Sequence, residues 1–328
     1  MQSYSGHKFS GHKFSGHRFS GYKVSVYQTN ECQISERQTE EIIMAWEKVP
    51  FPVLSDVQFL QWQNLLEERT GMYVAQERQS LLQSNLIIRM REIECFDFDQ
   101  YYAQVCAKPS GIVEWNILLD RLMVQETRFY RNPESLALFQ EFLSARLQYE
   151  SEQKPLNIWS VGCSTGEEPY TLAILTNEIF LKLDKDPYFG ITATDISLPV
   201  LGKAREALYN TRKLMDLDQD LVVRYFTQLS KGFFKVGDDI RRKVCFSMAN
   251  MIDIEKSPLR NMDIIYCQNV LIYFRKERKH IILDNLVQRL APGGMLIIGQ
   301  GEAVEWNHPQ ISRVENSQTL AFLRHKDH

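Results

Sequence analysis

Apolar side chains recur every three or four residues between positions 51 and 125, which is the spacing of helices with one buried face. The spacing predicts four helices, which extend from Phe59 to about Leu66, from about Ala75 to Ile93, from Phe96 to Val105 and over 116–124. This segment is therefore expected to form a small all-helical domain, with residues 51–125 as its bounds.

A second domain is predicted over 126–328. It begins with a helix start at Asn132-Pro133-Glu134, where a capping amide, a proline and an acidic side chain follow one another. The buried face of this helix is predicted to contain Leu136, Phe139, Leu143 and Leu147. Strand-like and helix-like segments alternate after residue 154, which implies an α/β fold with a parallel, doubly wound sheet. The predicted strands are Asn157–Val161, Phe189–Thr194, Asp263–Tyr266, Met295–Gly299 and Thr319–Leu323, and the predicted helices are 168–181, 197–208 and 276–290.

Two segments do not follow the alternation. "KGFFKVGDDIRRKVCFSM" (231–248) is typical of a β-hairpin, and we predict an inserted β-hairpin subdomain at about 222–249 that turns near Gly237-Asp238-Asp239. The first 50 residues contain a five-residue repeat of the type SGHKF, whose period suits neither helix nor strand, so we predict disorder there. The repeat is either a basic, aromatic arm for an acidic partner or an extension without a role.

Composition excludes several classes of protein. A hydrophobic share of 44% and a charged share of 24% are those of a soluble globular protein, and the net charge of −3 gives no reason to expect nucleic acid or an anionic membrane as partner. No apolar run is long enough to cross a membrane, and no signal peptide is apparent. The six cysteines lack paired spacing and the histidines form no ligand cluster, so we expect a cytoplasmic protein with reduced thiols and no metal site.

The stretch "IWSVGCSTGEEPYTLA" (158–173) fits two incompatible interpretations. Its G-x-S-x-G letters match the turn that presents a serine nucleophile, here Ser164, in α/β-hydrolases. They also fit a glycine turn that lets a cofactor approach the backbone at the carboxyl end of a strand. A hydrolase needs an acid and a histidine after later strands, and neither His280 nor His308 follows a strand. We therefore favour the cofactor interpretation, with Cys163 as a small buried residue.

The residues that follow the predicted strands indicate which cofactor this is. The turn lacks G-x-G-x-x-G, and Glu167-Glu168 occupy the helix start where a pyrophosphate would bind. Two carboxylates repel a pyrophosphate but attract a positively charged ligand, and Asp195 is suited to accept hydrogen bonds from ribose hydroxyls. A ribose without phosphate together with positive charge points to S-adenosylmethionine.

Several motifs resemble one family. "TRFYRNPE", "WSVGCSTGEEPYTLAI", "ATDIS", "LVVRYF", "DIIYCQNVLIYF" and "LAPGGMLIIGQGE" are similar to the CheR family of chemotaxis protein-glutamate O-methyltransferases, and the resemblance covers roughly residues 55 to 325. Within the family the sequence looks closest to the branch that serves the chemosensory system of type IV pili. The resemblance implies a helical amino-terminal domain, a class I (Rossmann-like) methyltransferase domain and a small β-subdomain. It also implies methyl transfer from S-adenosylmethionine to glutamate side chains in the cytoplasmic domain of methyl-accepting chemoreceptors.

The same resemblance implies the site residues. Arg131 and Tyr273 are expected at the site of methyl transfer. Gln125 stands where the family commonly has Asn, and Gln268 stands where Arg usually precedes Asn. The residues expected to bind the cofactor are Gln125, Thr127, Arg131, Glu167, Asp195, Asn250, Met251, Gln268 and Asn269.

Two expectations concern the protein substrate. Arg78 and Arg89 are spaced to share one face of the second helix, which the resemblance places opposite the acidic receptor. The hairpin is shorter than in family members that bind a peptide at the receptor's carboxyl terminus, so we predict that no such tether is used. Two other functions remain open at this point, a methyltransferase for small molecules and a cofactor-binding regulatory module without catalysis.

Overall fold

The computed structural model describes residues 53–123, 126–149, 154–303, 305–315 and 319–326. The predicted disorder of residues 1–50 and the predicted role of Gln125 lie outside these residues. Within them, each helix and strand predicted above is present, with ends that differ by a few residues, apart from the inserted hairpin.

The amino-terminal part of the described chain is all-helical, as predicted. Its helices are α1 (Asp56–Thr70), α2 (Gln79–Glu92), α3 (Phe98–Cys106) and α4 (Gly111–Leu122), and a 3₁₀ turn over Gln76–Arg78 precedes α2. Ser55 and Gln58 form a capping box at the start of α1, and Gly71 ends that helix with a left-handed conformation. The predicted apolar stripes are buried in one cluster around Trp62, Leu86 and Tyr101.

The second part contains a seven-stranded sheet. Its strands are β1 (Leu156–Val161), β2 (Phe189–Asp195), β6 (Val244–Met248), β7 (Met262–Cys267), β8 (Leu290–Ile298), β9 (Ile311–Arg313) and β10 (Leu320–Arg324). Their spatial order is β6-β2-β1-β7-β8-β10-β9. Strand β10 runs antiparallel to its neighbours β8 and β9, and the other neighbouring pairs are parallel. Because the order reverses between β1 and β7, the carboxyl ends of these two strands border a crevice.

Both faces of this sheet are covered, which explains the apolar runs of its strands. Helices α5 (Pro133–Tyr149), α6 (Glu167–Lys182), α7 (Leu198–Glu206) and α10 (Lys276–Val287) connect or flank the strands. Ile158 of β1 lies in the hydrophobic cluster on one face, while its neighbour Trp159 lies in the cluster on the other. The prediction of a doubly wound sheet is therefore confirmed.

The inserted hairpin differs from its prediction. Strands β3 (Leu208–Asn210), β4 (Phe226–Ser230) and β5 (Phe233–Val236) form a three-stranded sheet in the order β3-β5-β4, with α8 (Gln219–Tyr225) before β4. The hairpin turns at Lys231-Gly232, where Gly232 has a φ of +84°. Gly237 has a φ of −61° and begins the short helix α9 (Asp238–Arg241). The predicted turn near Gly237-Asp238-Asp239 is thus wrong, and residues 244–248 belong to the large sheet as β6.

The segment between α1 and α2 joins the helical part to the large sheet. The Tyr73 N–H donates to the carbonyl of Tyr273 at 2.8 Å, and Met72 forms an antiparallel bridge with Phe274. A Cβ at Gly71 would lie 2.4 Å from Ile252, so only glycine permits this close packing. Consequently, the residues after α1 are held against the loop that follows β7.

Candidate active site

A cavity of about 250 Å³ lies at the carboxyl ends of β1, β2 and β7. Its position is the crevice that the strand order predicts for a ligand. The helical part contributes Thr70, Met72 and Met123 to the wall, so both parts of the described chain border the cavity. The predicted site residues among those that line it are Thr127, Arg131, Asp195, Asn250, Met251, Gln268, Asn269 and Tyr273.

The loop after β1 brings backbone against the cavity. Gly162 has a φ of +70°, and a Cβ there would lie 2.3 Å from Val270. Ser164 adopts a left-handed conformation with a φ of 47°. Non-glycine residues rarely do so, and such strain concentrates at functional sites. The Ser164 N–H donates to Asp195 Oδ2 at 2.8 Å, so this turn is tied to the end of β2.

Asp195 is buried at the end of β2, where it is 8% exposed. Its second oxygen accepts from the Ser197 N–H at 3.0 Å. Burial raises the pKa of this carboxyl, and the backbone hydrogen bonds oppose that rise. A carboxylate has about four lone-pair sites, so Asp195 keeps acceptor capacity for a hydroxyl of a ligand beside its backbone amides.

The two adjacent glutamates at the start of α6 have different surroundings. Glu168 lines the cavity and accepts from Ser160 Oγ at 2.7 Å, whereas Glu167 does not line it. Glu167 is fully buried, accepts from Thr165 Oγ1 at 2.7 Å and pairs with Lys213 Nζ at 2.9 Å. Of these two glutamates, Glu168 therefore lines the cavity and Glu167, the predicted one, does not.

Burial raises the pKa of Glu168 to about 8. The Ser160 hydroxyl and the charge of Arg131 oppose this rise, while the nearby Glu302 carboxylate adds to it. A positive charge on a ligand would favour the ionised form of Glu168 in the same way that Arg131 does. The floor of the cavity is thus suited to a cation.

Polar atoms without a protein partner face this region from two loops. Gln268 is 9% exposed, and its Oε1 accepts from Asn132 Nδ2 at 2.9 Å. Its Nε2 is buried without a partner, as are Asn269 Oδ1 and Ser164 Oγ. Buried polar groups normally have partners, and three such atoms around one cavity fit a polar ligand that would provide those partners. Asn132 was predicted to cap α5; instead its side chain contacts Gln268.

Arg131 and Tyr273 both line the cavity. Burial raises the pKa of the Tyr273 phenol, and the positive charges of Arg78 and Arg131 oppose this rise. Both guanidinium groups are therefore close enough to act on the phenol electrostatically. Arg131 donates to the carbonyl of Glu126 at 2.8 Å, which holds its side chain along the loop before α5.

Asn250 and Met251 form the wall beyond β6. The Asn250 side chain donates to the carbonyl of Arg69 at 2.8 Å and accepts from the Ile252 N–H at 3.3 Å. Its amide thus connects the end of α1 with the turn over Met251–Lys256, while Met251 packs in the hydrophobic cluster below. Thr127 lines the opposite wall, and its carbonyl accepts from Lys213.

Arg89 does not share an exposed face with Arg78. Its Nε and Nη2 donate to the two carboxylate oxygens of Glu114 at 2.9 and 2.7 Å, and Tyr101 donates to the same carboxylate at 2.8 Å. The Arg89 side chain is only 15% exposed. It stabilises the packing of α2 against α4, and the expectation that it faces an acidic partner is wrong. Arg78, at the start of α2, is exposed.

The hydrolase interpretation finds no support in this geometry. No hydrogen bond joins Ser164 Oγ to a histidine within the described residues. Cys163 is buried, and burial raises the pKa of its thiol well above the ordinary value, so it is not a thiolate nucleophile. Gly162, Cys163 and Ser164 line the cavity, where the cofactor interpretation predicts them.

The profile of the CheR methyltransferase SAM-binding domain matches residues 125–321, and that of the CheR all-alpha domain matches residues 58–123. The chain belongs to the CheR methyltransferase family. It is accordingly a methyltransferase whose cofactor is S-adenosylmethionine. The buried carboxylates at 168 and 195 and the three polar atoms without partners fit a ligand that carries hydroxyls and positive charge.

Curated relatives of this enzyme cover most of its length. The chain is 31% identical over 247 residues to chemotaxis protein methyltransferase 2 of Pseudomonas aeruginosa, which is 74% of this chain and 85% of that protein. It is 29% identical over 254 residues to chemotaxis protein methyltransferase 2 of Vibrio cholerae, which is 77% of this chain and 87% of that protein. The chemotaxis protein methyltransferase of Escherichia coli is 28% identical over 290 residues, 87% of this chain and 96% of that protein. None of the helices described here has the length and apolar character needed to cross a membrane.

Proposed function

We propose that this CheR-family enzyme transfers a methyl group from S-adenosylmethionine to glutamate side chains in the cytoplasmic domain of chemoreceptors, as part of chemosensory adaptation. One observation carries the proposal. The floor of the cavity is acidic, with Glu168 and Asp195, whereas Arg78 and Arg131 place positive charge around Tyr273. An acidic floor suits a cationic cofactor, and a basic rim suits a carboxylate nucleophile.

The reaction requires little acid–base chemistry. A glutamate carboxylate has an ordinary pKa of about 4.3 and is already anionic at neutral pH, so no general base is needed. S-adenosylmethionine supplies an activated methyl group on a sulfonium. The protein binds both reactants in line and excludes water, and correct positioning alone can lower the barrier by several kcal/mol.

Each group on the cavity wall has a role in this scheme. Glu168 would pair with the ammonium group of the cofactor, and Asp195 would accept from the ribose hydroxyls. Arg131 would orient the incoming carboxylate, and Tyr273 would line the position of methyl transfer. Thr127, Asn250, Met251, Gln268 and Asn269 complete the proposed cofactor site, and Glu168 takes the place first given to Glu167.

The proposed docking surface for the receptor begins at Arg78. This arginine is exposed at the start of α2 and acts electrostatically on Tyr273. A long acidic helix that presents its glutamate to Tyr273 would pass Arg78, where opposite charge favours encounter and register. Arg89 has no part in this surface because Glu114 neutralises it.

We also propose that the enzyme works without a tether to the receptor's carboxyl terminus. The β4–β5 connection consists of Lys231-Gly232 alone, so it provides no loop that could form side-chain pockets beside an added strand.

We keep the division into a helical domain, 51–125, and a methyltransferase domain, 126–328, as a proposal. The small sheet then occupies 208–236, and a cytoplasmic location follows from the proposed substrate.

The decisive experiment is methyl transfer to receptor fragments. The enzyme is incubated with tritiated S-adenosylmethionine and the cytoplasmic domain of a chemoreceptor, and the product is treated with alkali. We expect volatile tritiated methanol, because a carboxyl methyl ester hydrolyses in base. A matched fragment with the acceptor glutamates changed to alanine is the control. Alkali-stable label, or label on small molecules only, would contradict the proposal.

A further inference from the structure

Glu302 is a buried carboxylate that the mechanism above does not use. It stands in the segment "GQGE" after β8, is 1% exposed and is not among the residues that line the cavity. Burial raises the pKa of this carboxyl, and hydrogen bonds from backbone amides oppose the rise. A buried carboxylate is costly unless it is well paired, so its hydrogen-bond partners indicate why it is tolerated here.

The partners of Glu302 come from two loops. Oε1 accepts from the Ile272 N–H at 3.2 Å, and Oε2 accepts from the Gly299 N–H at 2.9 Å. The Leu271 amide also contributes to the hydrogen bonding of this carboxylate. Leu271 and Ile272 are the first two residues of the 3₁₀ turn that ends at Tyr273. The side chain of Val270, the N-cap residue of this turn, makes no capping hydrogen bond. Glu302 therefore accepts from amides at the start of a turn that has no side-chain cap of its own.

The other end of the same turn is held by the helical part. The Tyr273 carbonyl accepts from the Tyr73 N–H at 2.8 Å, and Phe274 forms a bridge with Met72. The turn that carries Tyr273 is thus fixed to the end of β8 on one side and to the segment after α1 on the other. Its position depends on both attachments.

Gly299 provides the space that this arrangement needs. A Cβ at position 299 would lie 2.5 Å from Glu302 Oε2 and 2.8 Å from Cδ. Any side chain there would push the carboxylate away from the amides of the turn. The position of the Glu302 carboxylate therefore depends on the absence of a side chain at Gly299.

We propose that Glu302 is a positioning residue that sets the location of Tyr273 at the site of methyl transfer through the Leu271–Tyr273 turn. This inference rests on the proposed function only in that methyl transfer is the activity measured. The carboxylate reaches the turn through a hydrogen bond from its backbone, and it does not line the cavity.

Glu302→Gln tests the proposal with almost no change in volume. The amide nitrogen cannot accept from an N–H, so one of the two loops loses its acceptor. We expect kcat for receptor methylation to fall about 10- to 100-fold, because a shift of about 1 Å at a reacting group can cost that much. KM for receptor should change less than about threefold, since Glu302 does not line the cavity. Glu305→Gln, the same change at an exposed carboxylate paired with Lys276, is the matched control and should keep wild-type kinetics.

Two further variants separate positioning from a general loss of structure. Gly299→Ala should reproduce the kcat defect, and combining it with Glu302→Gln should add little, because both changes displace one carboxylate. In a Tyr273→Ala background, Glu302→Gln should lower kcat less than about twofold. An equal drop in both backgrounds, or wild-type kcat in Glu302→Gln, would overturn the proposal.

Amide hydrogen exchange tests the contact without any receptor. In the full-length enzyme, Glu302→Gln should accelerate exchange at Leu271 and Ile272 and leave α10 unchanged. If the wild-type enzyme fails to methylate receptors but these amides lose protection, the proposed function is wrong and the role of Glu302 stands. Unchanged exchange at both amides would overturn the inference whatever the substrate.

Discussion

Replacing Glu168 by glutamine should remove a pH dependence from cofactor binding. Glu168 lines the cavity, and its ionised carboxylate is a hydrogen-bond acceptor only. It can therefore accept a hydrogen bond from the ammonium group of S-adenosylmethionine. Burial raises its pKa to about 8 in the free enzyme. Most molecules therefore carry a proton on Glu168 at neutral pH, and binding a cation should release it.

The magnitude follows from the pKa. Ionising a carboxyl of pKa about 8 costs about 1.4 kcal/mol at pH 7 and about 2.7 kcal/mol at pH 6, since each pH unit is worth about 1.36 kcal/mol. We expect the dissociation constant to fall about tenfold per unit between pH 5.5 and 7. About 0.9 proton should be released per cofactor bound at pH 7.

The contribution of Glu168 to folding stability should change with pH in the opposite direction to its contribution to cofactor affinity. The pKa of Glu168 is raised from an ordinary value of 4.5 to about 8, so the folded enzyme holds this proton more tightly than the unfolded chain does. The contribution of Glu168 is fully favourable below pH 4.5 and is lost as the pH rises through 8. Glu168→Gln should abolish this loss, so the variant should gain stability relative to the wild type as the pH rises towards 8.

Isothermal titration calorimetry in buffers of different ionisation enthalpy measures both the affinity and the proton release. The α-amino group of the ligand titrates at about 7.7–8.0, so the comparison is made below pH 7.5. Glu168→Gln provides the matched control, because it leaves the ligand's own titration unchanged. Its affinity should be nearly independent of pH between 5.5 and 7. Equal pH slopes in the two proteins, or no proton release by the wild type, would refute this account of Glu168.

Four further predictions concern the cofactor and the receptor. Asp195→Ala should weaken S-adenosylmethionine binding by roughly 2–4 kcal/mol, because ribose hydroxyls lose a charged acceptor. Ser164→Ala should retain methyl transfer. If this variant is inactive while it still binds the cofactor, Ser164 would again be a candidate nucleophile. Arg78→Glu should lower kcat/KM for receptor without changing cofactor affinity, whereas Arg313→Glu, the same change on exposed β9, should have no effect. A normal rate for Arg78→Glu would exclude α2 as the docking surface. Deleting the receptor's carboxyl-terminal residues should leave the methylation rate unchanged, and a large drop with micromolar binding of the isolated tail would show that a tether exists after all.

The existence and type of most elements followed from the sequence alone. Apolar spacing along α1 and α5 predicted the buried faces that the structure confirms, because a helix that packs on a core must repeat its apolar side chains every three or four residues. The position of the cavity was also predictable, since parallel strands end at one edge of the sheet. The resemblance to the CheR family, carried by local motifs, is confirmed by the family match.

Only the tertiary structure decided which of two neighbouring carboxylates lines the cavity. Successive helix residues point about 100° apart, so Glu167 and Glu168 point in different directions, and Glu168 is the one at the cavity. Local sequence does not tell them apart, because the choice depends on Lys213, which lies far along the chain and pairs with Glu167. The same reason applies to Arg89, whose partner Glu114 lies on another helix.

The pairing of Val244–Met248 and the role of Glu302 could not be predicted from the sequence for a related reason. Val244–Met248 has the alternation of a hairpin strand, but its partner is β2, some fifty residues earlier, and pairing with a parallel neighbour leaves no local signal. Glu302 is the last residue of a motif that resembles the family, yet its partners are backbone amides around residues 271, 272 and 299. Side-chain periodicity determines which elements form, whereas the contacts between them arise only when the chain is packed, since hydrogen bonds and ion pairs join residues that are distant in sequence.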